Sequence, residues 1–192
     1  MNTVEPIRNR IKINAIRNNL KSEKNPRNYL LFVMGINSAL RISDLLKLRI
    51  KDVIDNRGDI KESIYIRQTK TGKEIAPLIN DSMREAIKYY LERIGNWSFE
   101  DYLFKSKRNP NRPLERVMAW YLINKWCADV GLDNGRIGTH SLRKTWGYHA
   151  RKVGIDLETI MIKLGQKSIS STKAYIGISQ EEIGAVENKV CL

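Results

Sequence analysis

Cysteine is scarce in this chain. The two present among 192 residues, Cys127 and Cys191, are far apart and lack metal-type spacing, which argues against both a disulfide framework and a cysteine zinc site. Long apolar runs are missing too. No stretch approaches the ~18 apolar residues of a membrane span, and the opening MNTVEPIRNRIKI has no apolar core of a secretion signal. A soluble protein of the reducing cytoplasm, with no membrane partner, is expected. Internal repeats and low-complexity tracts are also absent, so nothing points to a solenoid or a disordered chain. Acidic residues are outnumbered: 21 against 34 Lys and Arg, for a formal net charge of +13 and a pI near 9.8. That imbalance favours a polyanionic partner, nucleic acid first, although a basic protein of no particular partner has the same composition. The length suits one domain, or a domain with a short arm.

Residues 5 to 21 place Ile7, Ile11, Ile16 and Leu20 at intervals of four or five among basic residues, which predicts an amphipathic helix with a basic face. Pro26 breaks this pattern. Residues 1–26 are therefore expected to form a basic helical arm, and 27–192 the main domain. Helical spacing resumes from Arg27 through YLLFVMGINSAL and again in ISDLLKLRIKDVI. Around residues 60 to 79 the period changes: IKESIYIRQ alternates, a TKTG connection follows, then KEIAPLI, which predicts a β-hairpin. Further helices are predicted over about 82–94, with Asn80 or Asp81 as cap, and over about 114–130 after the polar loop KSKRNPNRP. Thr139 is expected to cap HSLRKTWGYHARKV, with Gly154 as its stop. Gly165 is expected to end the next helix, and Ser170 or Ser171 to cap a last one bearing Tyr175. The class is mainly α with a small antiparallel β-sheet.

Cleaving a phosphodiester without a metal requires a nucleophile, cations for the non-bridging oxygens, an acid for the leaving oxygen and an acceptor for the nucleophile's proton. Arginine suits the clamp, because its planar fork donates paired hydrogen bonds and stays charged; lysine suits the acid, because its pKa falls readily near other cations. The chain carries Arg41 in ALRISDLLKL, Lys70 in TKTGKEIAPL, His140 and Arg143 in THSLRKTWG, Gln166 in LGQKSISS and Tyr175 in STKAYI, in that order. Singly, each has an ordinary reading: a packing tyrosine, a surface arginine, a helix-start histidine, a solvated hairpin lysine.

Together and in this order they resemble the signature of the tyrosine recombinases of the phage integrase family: an arginine opening a helix, a hairpin lysine, His-x-x-Arg, a glycine-linked His or Trp, then tyrosine. The resemblance covers about residues 27 to 180 and implies the tyrosine recombinase catalytic-domain fold, of the DNA breaking-rejoining type. It also implies a site-specific recombinase or integrase that cleaves and rejoins double-stranded DNA through a 3′-phosphotyrosine on Tyr175. Arg41 and Arg143 would neutralise the phosphate, Lys70 would protonate the departing 5′-oxygen, and His140 would take the tyrosine's proton or orient the phosphate. Lys73 is the nearby rival for the acid. No metal or other cofactor is implied, and a homotetramer on DNA is expected by analogy, with residues about 180 to 192 docking on a neighbouring subunit. Asp44, three residues after Arg41, is a candidate to orient that guanidinium; a simple helix-start carboxylate is the alternative.

The chain departs from the family pattern twice. Gln166 stands where histidine or tryptophan is usual; its amide donates a hydrogen bond but neither carries charge nor moves a proton, so a slower enzyme is expected. The sequence before Arg27 is also too short for the usual core-binding domain, so weaker phosphate gripping is expected. Backbone contacts are assigned to Lys73, Lys144, Lys167 and Lys173, with a basic loop at Lys105, Lys107, Arg108 and Arg112. His149, Trp120, Trp126 and Trp146 read as core or interface residues rather than stacking platforms. Two other functions compete: a DNA-binding accessory protein with a diverged site, and nicking and religation without exchange. Integration, excision, inversion and resolution are not distinguished by the sequence.

Overall fold

The computed structural model describes residues 4–132 and 136–177; Cys191 and the tail over 180 to 192 lie outside them. In chain order the elements are α1 (Arg10–Ser22), α2 (Pro26–Asn37), α3 (Ile42–Leu45), α4 (Ile50–Val53), β1 (Ile66–Arg67), β2 (Glu74–Ile75), α5 (Asp81–Ile94), α6 (Arg116–Ala128), α7 (Thr139–Lys152), α8 (Leu157–Leu164) and α9 (Ile169–Ile176). The fold is mainly α with one small antiparallel sheet, as the sequence predicts.

The α2 helix is the centre. Asn25 caps it by accepting from the Asn28 amide, Pro26 fits its first turn, and every residue from Asn28 to Gly35 is buried. A helix apolar all round must be wrapped by others, and α5, α7 and α1 pack against it. On α1 the buried face is Ile13, Ile16 and Leu20, in the same core as α2; Ile7, ahead of the helix, is also buried. Ile11, predicted on that face, is 77% exposed, because the helix starts only at Arg10 and is capped by Asn9.

The segment ISDLLKLRIKDVI forms two single turns instead of one helix. Arg49 is extended and bridges Tyr102, Leu103 N–H donates to Leu48 O, and Ile50 N–H donates to Asp101 O, so a neighbouring loop claims the backbone between the turns. The hairpin pairs Ile66 with Ile75 and Arg67 with Glu74, with an outlying bridge from Ser63 to Leu78.

A second, smaller core joins Ala39, Ala150, Ile160, Leu164 and Ile176, with Trp146, Leu157 and Tyr175 against it. Eight-residue helices such as α8 and α9 are unstable alone. Burying Ile160, Leu164 and Ile176 contributes about 1.5–3 kcal/mol each, enough to hold them on α7. At Gly147 an added Cβ would lie 2.6 Å from Ile176, so α9 approaches α7 this closely only because that residue is glycine. The α7 helix starts at Thr139 with Gly138 as cap residue. Ser168 caps α9 by accepting from the Ser171 amide, two to three residues earlier than predicted. None of the described helices is long and apolar enough to cross a membrane.

Candidate active site

Arg41 is the extended residue before α3, whose Ile42 and Leu45 anchor it in the core. Its Nη1 donates to Gln68 Oε1 at 2.8 Å, and the same oxygen accepts from Thr71 Oγ1 at 2.6 Å. Gln68 thereby ties the hairpin to the arginine. Asp44 does not orient Arg41 as expected: its Oδ1 accepts the Thr69 amide at 2.9 Å, because the hairpin backbone reaches it first. Its Oδ2 is buried with no hydrogen-bond partner among the described residues, and its charge supports that of Arg143. Asp44 and Gln68 together fix the base of the turn over residues 69–71 that exposes Lys70. Lys73, just past the turn, is also exposed.

On α7, His140, Arg143, Lys144 and Gly147 recur at helical spacing on neighbouring faces. Arg143 is 3% exposed; its Nη2 donates to the Leu164 carbonyl, one of the acceptors left over at the end of α8, while Nη1 has no hydrogen-bond partner among the described residues. Burial depresses its pKa, as does Arg41, while Tyr175 and Asp44 oppose the shift. A buried guanidinium with a spare donor is set up to meet an anion.

The α9 helix delivers Tyr175. Its Oη lies 3.2 Å from His140 Nδ1, with the two rings edge to face. Burial pushes the phenol's pKa up, and Arg143 and Arg41 both pull it down, so two cations act on one hydroxyl. His140 is held below the ordinary imidazole pKa, first by partial burial and then by Arg116, Arg143, Lys144 and Arg41. It is therefore neutral around pH 7 and able to accept a proton.

Gly165 ends α8 in the left-handed conformation (φ 56°), and half-buried Gln166 follows two residues after the carbonyl that holds Arg143. Lys167 and Lys173 are exposed near the site. Lys144 is not: it is 4% exposed, and its ammonium donates to Val4 O at 2.7 Å and sits 5.0 Å from the centroid of the Tyr175 ring. Strap and ring thus enclose the charge that the sequence assigns to a phosphate contact. In the basic loop Lys105 is paired with Asp101 at 2.8 Å. Trp126 is buried, Trp120 is half exposed, and His149 bonds the Ile7 carbonyl at 3.0 Å.

Three contributors escape a reading of the sequence. Gln68 was findable, because the alternation that turns Ile64 and Ile66 inward turns Gln68 inward as well, and a buried amide needs a partner. Arg116, at the start of α6, and the carbonyl of Val4 are distant in sequence and leave no local signal.

A model described as the phage integrase family matches residues 10–182. The chain is 39% identical over 181 residues to the probable integrase/recombinase YoeC of Bacillus subtilis (strain 168), covering 94% of this chain and 93% of YoeC. It superposes on the crystal structure of XerA recombinase with a TM-score of 0.77 at 19% identity, over 97% of this chain and 64% of that one. For XerH site-specific recombinase bound to palindromic difH substrate, a post-cleavage complex, the TM-score is 0.73 at 19% identity, over 97% and 54%. The chain thus spans nearly all of the Bacillus relative and between half and two thirds of the two solved chains. Its fold is that of the tyrosine recombinase catalytic domain.

Proposed function

Because the chain belongs to the phage integrase family, we propose that it is a site-specific DNA strand transferase acting through Tyr175. The observation that carries this reading is the 3.2 Å contact between Tyr175 Oη and a neutral His140, with Arg41 and Arg143 both acting on the same phenol. Tyr175 Oη attacks the scissile phosphorus, its proton passes to His140 Nδ1, and the bond to the 5′-oxygen breaks as a 3′-phosphotyrosine forms. Arg143 Nη1 and the Arg41 guanidinium receive the charge on the non-bridging oxygens. Lys70, on its hairpin tip, protonates the leaving 5′-oxygen, and the Gln166 amide donates to phosphate. Attack by a second 5′-hydroxyl reverses the step and rejoins the strand, so the bond energy is kept and no ATP is consumed.

The two guanidiniums supply the charge a metal ion would otherwise bring, so activity in the presence of a chelator is expected. Double-stranded DNA is the partner, consistent with the net charge of +13 and with exposed Lys73, Lys167 and Lys173 around the site. Exchange between two duplexes cuts four strands, and one tyrosine per subunit then calls for a homotetramer.

The test is to incubate the protein with a pool of nicked duplexes carrying randomised half-sites, with EDTA present, and to select detergent-resistant adducts. The wild type is expected to form them and Tyr175→Phe to form none. Binding without adducts would support an accessory DNA-binding protein instead, and equal adducts from the phenylalanine variant would remove Tyr175 from the chemistry.

A further inference from the structure

The first described residues run as a strap along α7. Glu5 N–H donates to Arg136 O at 2.7 Å, Ile7 N–H to Thr145 Oγ1 at 2.8 Å, and His149 Nε2 meets Ile7 O at 3.0 Å. Arg8 Nη2 then donates to the carbonyl of Gly177, the residue that ends α9, at 2.9 Å. The strap therefore touches α7 along its length and α9 at its end.

Between them lies Lys144. It is 4% exposed, has no carboxylate within ion-pair distance among the described residues, and its ammonium is held by Val4 O at 2.7 Å and the face of Tyr175 at 5.0 Å. Burial depresses its pKa, with Glu5 opposing. Burying an ammonium on one carbonyl and one ring is costly, and a methionine would fill the same space without that cost. The arrangement thus gives up stability, which is usual where a group serves geometry.

We propose that Lys144 is a positioning residue for Tyr175, holding the phenol ring against the strap so that Oη stays aimed at the phosphate. The strap and the nucleophile are then one mechanical unit. Displacing Val4 frees the ammonium, and the ring loses the cation on its face. This rests on the reading of Tyr175 as nucleophile.

The experiment measures single-turnover adduct formation on a nicked duplex selected by the wild-type protein, as rate at saturation and as half-saturating DNA concentration. Lys144→Met is expected to lower the rate about tenfold, within what one cation–π contact supplies. The half-saturating concentration should stay within about twofold, the thermal midpoint should not fall, and Lys144→Arg should keep most of the rate. An unchanged Lys144→Met rate, beside an active wild type, would overturn the positioning role alone. A rise in half-saturating concentration instead of a loss of rate would make Lys144 a phosphate contact. Equal losses in the arginine and methionine variants, with falling thermal midpoints, would make it merely structural. A wild type that forms no adduct at all would overturn both readings.

Discussion

At the scale of single residues the site is an exercise in opposed shifts. Burial raises the phenol of Tyr175 while two arginines lower it, and His140 is kept neutral by partial burial and by four cations, Arg116 the strongest of them. If His140 accepts the proton, its protonation stops the reaction. Because its pKa is lowered, cleavage should persist as pH falls through 6.5 and decline only below it. Arg116→Ala removes the leading charge, so the acid limb should move up toward 6.5; a pH series of single-turnover adduct formation checks both, and an unmoved limb would exclude this role for Arg116. Gln166 is the other residue with a direct test. It follows the αL turn at Gly165, two residues past the carbonyl that holds Arg143, and lacks a proton to trade. Gln166→His should speed cleavage about tenfold or more. An equal or lower rate would show that glutamine is no handicap there.

Among the elements, α7 carries His140 and Arg143, and the short elements around it, α3, the hairpin and α9, bring the remaining groups to it. The α9 helix reaches His140 only because Gly147 lets Ile176 and Leu164 sit against the α7 backbone. Gly147→Ala would gain roughly 1 kcal/mol of helix propensity and lose about 1–3 kcal/mol to overpacking. The expected result is a lower denaturation midpoint together with slower adduct formation, since relief of the clash moves α9 and its tyrosine outward. Much of this scaffold was legible in the sequence. Pro26, Asn80 and Gly165 sit where the chain predicted starts and stops, and the change of period at residues 60 to 79 is a real hairpin. What was not legible depended on distant backbone. The 99–103 loop splits ISDLLKLRIKDVI into two turns, and the strap consumes Lys144, a residue whose place beside Arg143 suggested a phosphate contact. Asp44 illustrates the same limit: three-residue spacing put it near Arg41, but Thr69, twenty-five residues on, took its oxygen.

For the whole molecule, charge and strap matter together. The chain carries +13, and its exposed lysines around the site include Lys167 and Lys173. If both neutralise phosphates, Lys167→Ala with Lys173→Ala should flatten the slope of log affinity against log salt by about 2, while a variant at a solvated lysine leaves it unchanged. Titration of binding across salt concentrations reads this directly. Residues 4–8 bind α7 and the end of α9, the two helices that carry His140 and Tyr175. The Tyr175 hydroxyl is the centre of the account. The most direct measurement is to isolate the covalent complex, digest both protein and DNA, and locate the residual nucleotide by mass spectrometry. The account predicts a nucleotide joined through its 3′-phosphate to the peptide containing Tyr175, beside a free 5′-hydroxyl on the released strand; a nucleotide on any other residue, or one joined through a 5′-phosphate, would contradict it.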